Sequence, residues 1–333
     1  MSLAVEPIQA AASAAPDPRP GPWSRAAVAA ALGVAAAGYV LLFYRSRSAA
    51  AVSDFDAIWT AARALRAGLD PYAAIPSPPW PWDLQYPLPA VLVALPFSFL
   101  PLWLARAAFM GMSVTLLAWG LTRRVWWPLL ALAGGPSLFA LQSVQWTPLF
   151  TAAVLITPLR ALWAVKPTSG FPLFAAYPNR WTVSGALVLF ALSFLVFPHW
   201  LTGWLAAARR APHVAAVLRP GGALLLLALI RWRLPEGRQV AAMSLMPLSP
   251  HLYEALPLVL VVRSRRELLV LTLWATLAFL AWGLAPHTAG PDHGLVPWLI
   301  VLIGAYLPAL VVVLRRPNRE PGRFGPFEAL PPT

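Results

Sequence analysis

The chain of 333 residues contains no cysteine, which excludes disulfide staples, thiolate metal sites and a cysteine nucleophile together and leaves the redox compartment open. Charge is also scarce: 11% of residues are charged, against about 25% in ordinary soluble proteins. Lysine occurs once, at Lys166, and the remaining basic residues are arginines. No basic run is long enough for a nucleic-acid arm, so no nucleic-acid partner is expected. There are 12 acids, and none stands between Asp83 and Glu236. Proteins that move protons or cations through a helical bundle keep carboxylates inside the membrane. The gap therefore argues against a cation-coupled carrier and for binding or chemistry at one membrane face.

What is abundant is apolar. Hydrophobic residues reach 59% and the mean hydropathy is +0.66, values that call for lipid as the solvent and predict a multi-pass protein of the cell membrane. The wealth of alanine, proline and arginine suggests a high-GC bacterial genome, hence the bacterial inner membrane. A span needs about 20 apolar residues. The expected fold is an all-α, polytopic transmembrane helical bundle forming one domain over residues 25–316, with a polar, disordered lead at 1–24 and a flexible tail at 317–333. The first span runs from about Arg25 to Tyr44 and reads as uncleaved, although Ala51-Val52-Ser53 marks where cleavage would fall.

Further apolar segments lie at about 87–103, 105–122, 125–141, 147–164, 181–201, 220–230, 239–262, 268–286 and 295–314, about ten spans in all. The 220–230 segment is half a span, either re-entrant or extended through Arg231 and Trp232. With the N-terminus inside, Arg209, Arg210, Arg219, Arg263, Arg265, Arg266 and the tail from Arg315 fall on the positive, cytoplasmic side. Arg123, Arg124, Arg231, Arg233 and Arg238 fall outside and run against that rule.

The first loop, residues 45–86, lies outside in this topology and holds Asp54, Asp56, Asp70 and Asp83. From Ser53 to Gly68 it reads as a capped interfacial helix, with Phe55, Ile58, Trp59, Ala62 and Leu65 on one apolar stripe and Gly68 as the stop. The stripe is expected to face the membrane. Asp70-Pro71-Tyr72 makes a turn, residues 76–82 form a polyproline-like strap with two tryptophans, and Tyr86-Pro87 opens the next span. The plainer alternative is that acids simply collect where solvent is available.

These residues resemble glycosyltransferase family 87, the polyprenyl-phosphate-mannose-dependent mannosyltransferases of the membrane-embedded GT-C class. The resemblance rests on Asp54-Phe55, Trp59 with Ala61 and Ala62, Gly68, Asp70-Pro71-Tyr72 and Tyr86-Pro87, about fifty residues of moderate specificity; Gln145, Lys166-Pro167 and Ser249-Pro250-His251-Leu252-Tyr253 are weaker echoes. The family's Tyr-Pro-Pro is Tyr86-Pro87-Leu88-Pro89 here, and the second half of the chain is short.

The resemblance implies a GT-C-like bundle and an inverting transfer of a sugar, mannose or a related hexose or pentose, from a polyprenyl-phosphate donor to a glycolipid or glycan acceptor at the extracytoplasmic face. It implies Asp54 as catalytic base. Asp56 sits about 200° around a helix from Asp54, so both cannot serve one atom; it is assigned to the acceptor or as alternative base. Lys166 or Arg63 is expected at the leaving phosphate, with a solvated or headgroup-facing role as the alternative for Arg63. Asp70, Tyr72, Tyr86, Gln145, His251 and Tyr253 are expected to bind substrate. Glu254, an acid deep in a predicted span, is a functional candidate by position, or else a satisfied polar partner of His251 and Tyr253.

No cofactor is expected, and no metal, since spaced loop histidines such as His287 and His293 beside Asp292 are mostly solvated. Gly134-Gly135 and Gly221-Gly222 read as packing or kink positions rather than phosphate cradles. The reading from another class is a non-catalytic membrane protein that binds or translocates a lipid-linked sugar, or a degenerate transferase-like subunit.

Overall fold

The structure is a computed structural model that describes residues 20–47, 51–75, 83–210, 214–247, 249–286 and 294–317. The proline strap at 76–82, the trio His287, Asp292 and His293, and almost all of the expected lead and tail lie outside the described residues. Among the described residues the fold is all-helical, without a strand.

Helix α1 (Pro22–Arg45) starts on a proline, whose missing N–H has no partner to lose at a first helical turn, and ends with Arg45 in its last turn. Then follow α2 (Asp54–Arg66), α3 (Leu88–Ala94), α4 (Leu102–Leu121), α5 (Gly135–Ser143), α6 (Thr147–Leu155), α7 (Pro167–Ala176), α8 (Arg180–Val196), α9 (Trp200–Arg210), α10 (Pro235–Leu245), α11 (Arg265–Leu284), α12 (Leu295–Val301) and α13 (Leu307–Leu314). Tighter 3₁₀ stretches link several of them, among them Thr157–Val165 and Leu252–Val261. A π turn joins α12 to α13.

Among the described residues four helical stretches are long and apolar enough to cross a membrane: Pro22–Arg45, Leu102–Leu121, Arg265–Leu284 and Leu295–Leu314. A fifth is reached if α8 and α9, bent by 107° at their junction, count as one. The other apolar segments are broken, mostly by proline. Pro96 lies where α3 gives way to a 3₁₀ turn, so the 87–103 segment holds a seven-residue α-helix spanning only about 10 Å. Pro158 opens the 3₁₀ stretch that follows α6, and Pro247 and Pro250 fall between α10 and the 3₁₀ stretch Leu252–Val261, which carries Pro257 inside it. Each proline lacks a backbone donor and clashes with the preceding turn, so apolar composition continues where the α-helix does not.

Helices α1 and α4 pack closely because Gly33 faces Gly111: a Cβ on Gly33 would stand 2.7 Å from the carbonyl oxygen of Gly111. Small residues let backbones approach where apolar burial gives no preference between helix and lipid. Gly134 and Gly135 serve packing too, since a Cβ on Gly135 would lie 2.5 Å from that of Phe279 in α11.

Among the described residues, buried apolar side chains form two clusters. One is N-terminal, around Phe55, Phe109, Trp146 and Phe150; the other gathers α10, α13 and the stretch Leu252–Val261 around Tyr253, Leu258 and Tyr306. The apolar stripe of α2 belongs to the first cluster. Phe55 and Ile58 are fully buried, and the Phe55 ring stacks on Phe109 at 4.6 Å. The stripe expected to face the membrane thus packs on protein, because Phe97 and Phe109 offer it aromatic surface that lipid does not.

Candidate functional site

Helix α2 begins as its sequence specifies. Ser53 is extended before the first turn and donates its backbone N–H to the Asp56 carboxylate at 2.9 Å. Gly68, at φ +73°, supplies the left-handed turn beyond the helix end. This start sends the first two carboxylates of the helix in different directions.

Asp56 turns inward. Arg106, from α4, grips both of its oxygens, with Nε at 2.7 Å from Oδ1 and Nη2 on Oδ2, while the Ser53 hydroxyl also donates to it. The guanidinium further reaches the Ala51 carbonyl at 3.2 Å and lies 4.0 Å from the Tyr44 ring centre. Both residues of the pair are buried. Asp56 therefore performs a capping and pairing role, with its oxygens taken by protein donors.

Asp54 is half-buried and differently served. Its Oδ2 accepts a hydrogen bond from the Gln145 amide nitrogen, and among the described residues its other oxygen receives no hydrogen bond. Burial pushes its carboxyl above the usual aspartate range, with Lys166 and Gln145 pulling the other way.

Gln145 is fully buried and leads on to Lys166, whose Nζ stands 3.4 Å from Gln145 Oε1. Lys166 makes its short contact with Glu254 Oε1 at 2.6 Å, and the Ser169 hydroxyl donates to Glu254 Oε2 at 2.8 Å. Around the ammonium stand two rings, Tyr253 at 5.4 Å and Tyr86 at 6.0 Å. Tyr86 is held protonated by burial and by Asp54 and Glu254 nearby. The Tyr253 hydroxyl lies 3.0 Å from Ser249 Oγ, and its ring stacks on His251 at 5.0 Å.

The turn that delivers Gln145 is strained. Val144, which ends α5, sits at φ +50° and ψ +59°, a left-handed conformation that a β-branched residue avoids and that costs about 1–3 kcal/mol. It lets the Gln145 N–H close back on the Ala140 carbonyl at 2.9 Å.

The fold thus brings together Asp54, Tyr86, Gln145, Lys166, Tyr253 and Glu254, with His251 behind Tyr253. Four expected residues lie elsewhere: Asp56, held by Arg106, and the following three. Arg63 is exposed, its guanidinium 4.8 Å from the Trp59 ring. Asp70 is exposed and accepts the Tyr72 N–H at 2.8 Å, a local turn. Tyr72 donates its hydroxyl to the Tyr86 carbonyl at 3.3 Å and packs on Gly203 of α9, where a Cβ would lie 3.0 Å from its ring. Tyr72 thereby braces the Tyr86 segment, as does Trp204, whose indole donates to the Gln85 carbonyl at 2.9 Å.

Two participants were missed in the sequence. Arg106 carried a signal, a lone charge inside an apolar run. Ser169, three residues after Lys166, carried none.

Chemically, the site sets a half-buried carboxylate with a free oxygen beside an ammonium, with tyrosine rings flanking it. Compared with protein-family models, with curated proteins and with solved structures, the chain finds no match in any of the three.

Proposed function

We propose that this protein is a multi-pass membrane glycosyltransferase of the GT-C type that moves a sugar from a polyprenyl-phosphate donor to a lipid or glycan acceptor at the extracytoplasmic face. The sugar is mannose or a related hexose or pentose. The observation that carries this reading is the convergence of Asp54 with Lys166 through Gln145, residues 91 and 21 positions from that glutamine in the chain. A base and a cation joined through one side-chain amide suit a reaction that removes a proton at one end and develops negative charge at the other.

In that reaction Asp54 takes the proton of the acceptor hydroxyl as its oxygen attacks the anomeric carbon. The bond from that carbon to the phosphate oxygen breaks with inversion, and polyprenyl phosphate leaves with the electron pair. Lys166 meets the charge growing on the phosphate. Tyr86 offers its ring face and hydroxyl to the sugar, and Tyr253 lines the site beside Lys166. The raised carboxyl of Asp54 suits a base that must be ionised to act yet release its proton afterwards.

The test is transfer of label from a polyprenyl-phosphate sugar in membranes carrying the wild type or Asp54→Asn. Transfer by the wild type and its loss in the variant are expected; equal transfer by both removes Asp54 as the base. Binding of the donor without turnover by the wild type would move the protein to the binding or translocating class.

A further inference from the structure

Gln145 stands between opposite charges that do not touch. Its amide nitrogen donates to Asp54 and its carbonyl oxygen accepts from Lys166 at 3.4 Å, while Lys166 makes its close contact with Glu254 at 2.6 Å. A lysine ammonium is a compact point charge on a flexible stem, and nothing in its own chemistry makes it prefer Glu254 over Asp54. The surroundings make the choice. Ser169 fixes Glu254 from the other side at 2.8 Å, and the strained turn at Val144 holds Gln145 fully buried in the gap.

We propose that Gln145 and Glu254 are positioning residues that hold Lys166 off Asp54, Glu254 by taking the ammonium and Gln145 by filling the space between. Their purpose rests on the transferase reading: an Asp54 paired directly with Lys166 is a poor base. The spacing itself is independent of any reaction.

The groups facing Asp54 are Lys166 before α7, Glu254 and Tyr253 from the stretch Leu252–Val261, Tyr86 before α3, Tyr44 from α1 and Asp56 from its own helix. Arg106 of α4 is committed to Asp56.

The experiment follows the protonation midpoint of Asp54 in the purified full-length protein by its infrared carboxylic-acid band, assigned through its loss in Asp54→Asn. Gln145→Leu gives a sign that separates two roles. If Gln145 merely donates a hydrogen bond, its loss destabilises the carboxylate and the midpoint rises. If it is a spacer, Lys166 closes on Asp54 and the midpoint falls by about one pH unit, tenfold in proton affinity. That fall must vanish in Gln145→Leu/Lys166→Met.

Glu254→Gln is a second route should the first variant not fold. It too should lower the midpoint, and most of the fall should be lost in the Lys166→Met background. A rise or no change in Gln145→Leu overturns the proposal, as does a Glu254→Gln shift of full size without the lysine. Because the band is read without sugar transfer, the expected shifts in an inactive protein would sink the transferase reading alone. Active transfer without the shifts would sink the spacer alone.

Discussion

Asp54 and Asp56 stand two residues apart in the first turn of one helix, yet their surroundings differ in kind. Asp56 receives a two-pronged guanidinium and two donors from Ser53, and neither of its oxygens is left for a substrate. Asp54 receives one side-chain amide, beside a lysine whose close contact lies with another acid. A carboxylate satisfied on every side holds a structure together, whereas one that is desolvated and half satisfied keeps a high proton affinity for chemistry. Residue type and exposure alone do not make this distinction; the count of donors does.

The largest expected effect is on Asp54. Asp54→Asn should lower transfer by about 10²–10⁴-fold, the usual weight of a positioned general base, with the folded protein recovered in normal amount. Asp56→Ala reverses the pattern. It leaves the Arg106 charge buried without its partner, which costs about 3–5 kcal/mol, and a thermal unfolding scan in detergent should show the loss directly.

A smaller effect concerns pH. The Asp54 carboxyl is raised in the fold, so folding takes up a proton between the ordinary aspartate value of about 3.9 and the raised one. The contribution to stability is present below that window and is lost as pH rises through it. Asp54→Asn should therefore unfold at the same temperature as the wild type or higher at neutral pH, and wild-type transfer should fall as pH drops through the raised midpoint. The smallest effect belongs to an exposed pair, Arg210 with Asp83 at 2.6 Å, whose side chains are 63% and 45% exposed. Arg210→Ala should change stability by about 0–1 kcal/mol, and a drop as large as that of Asp56→Ala would break the contrast between buried and solvated pairs.

The sequence made α2 legible in detail, since a cap at Ser53, a period-3.6 apolar stripe and a terminating glycine are all local signals. The fate of the stripe was not local. Whether Phe55 meets lipid or Phe109 depends on a helix more than fifty residues away. Of the about ten expected spans, four to five are helices long and apolar enough to cross a membrane among the described residues; apolar composition persists through Pro96, Pro158, Pro247 and Pro250, and hydropathy is blind to the missing donor each carries.

The carboxylate gap between Asp83 and Glu236 was read as arguing against a cation-coupled carrier and for binding or chemistry at one membrane face. Folding brings Glu254, from beyond the gap, onto Lys166 within it, and Asp54, from before the gap, onto Gln145 beside that lysine. The partners Asp56 with Arg106 and Glu254 with Lys166 are separated by 50 and 88 residues, beyond any spacing rule.

One measurement bears most directly on the proposed role of Asp54: sugar transferred per folded molecule, wild type against Asp54→Asn, in the same membranes with a labelled polyprenyl-phosphate sugar. A fall of about 100-fold or more at unchanged folded yield is the expected result. Equal transfer per folded molecule would contradict it and return Asp54 to the status of its neighbour.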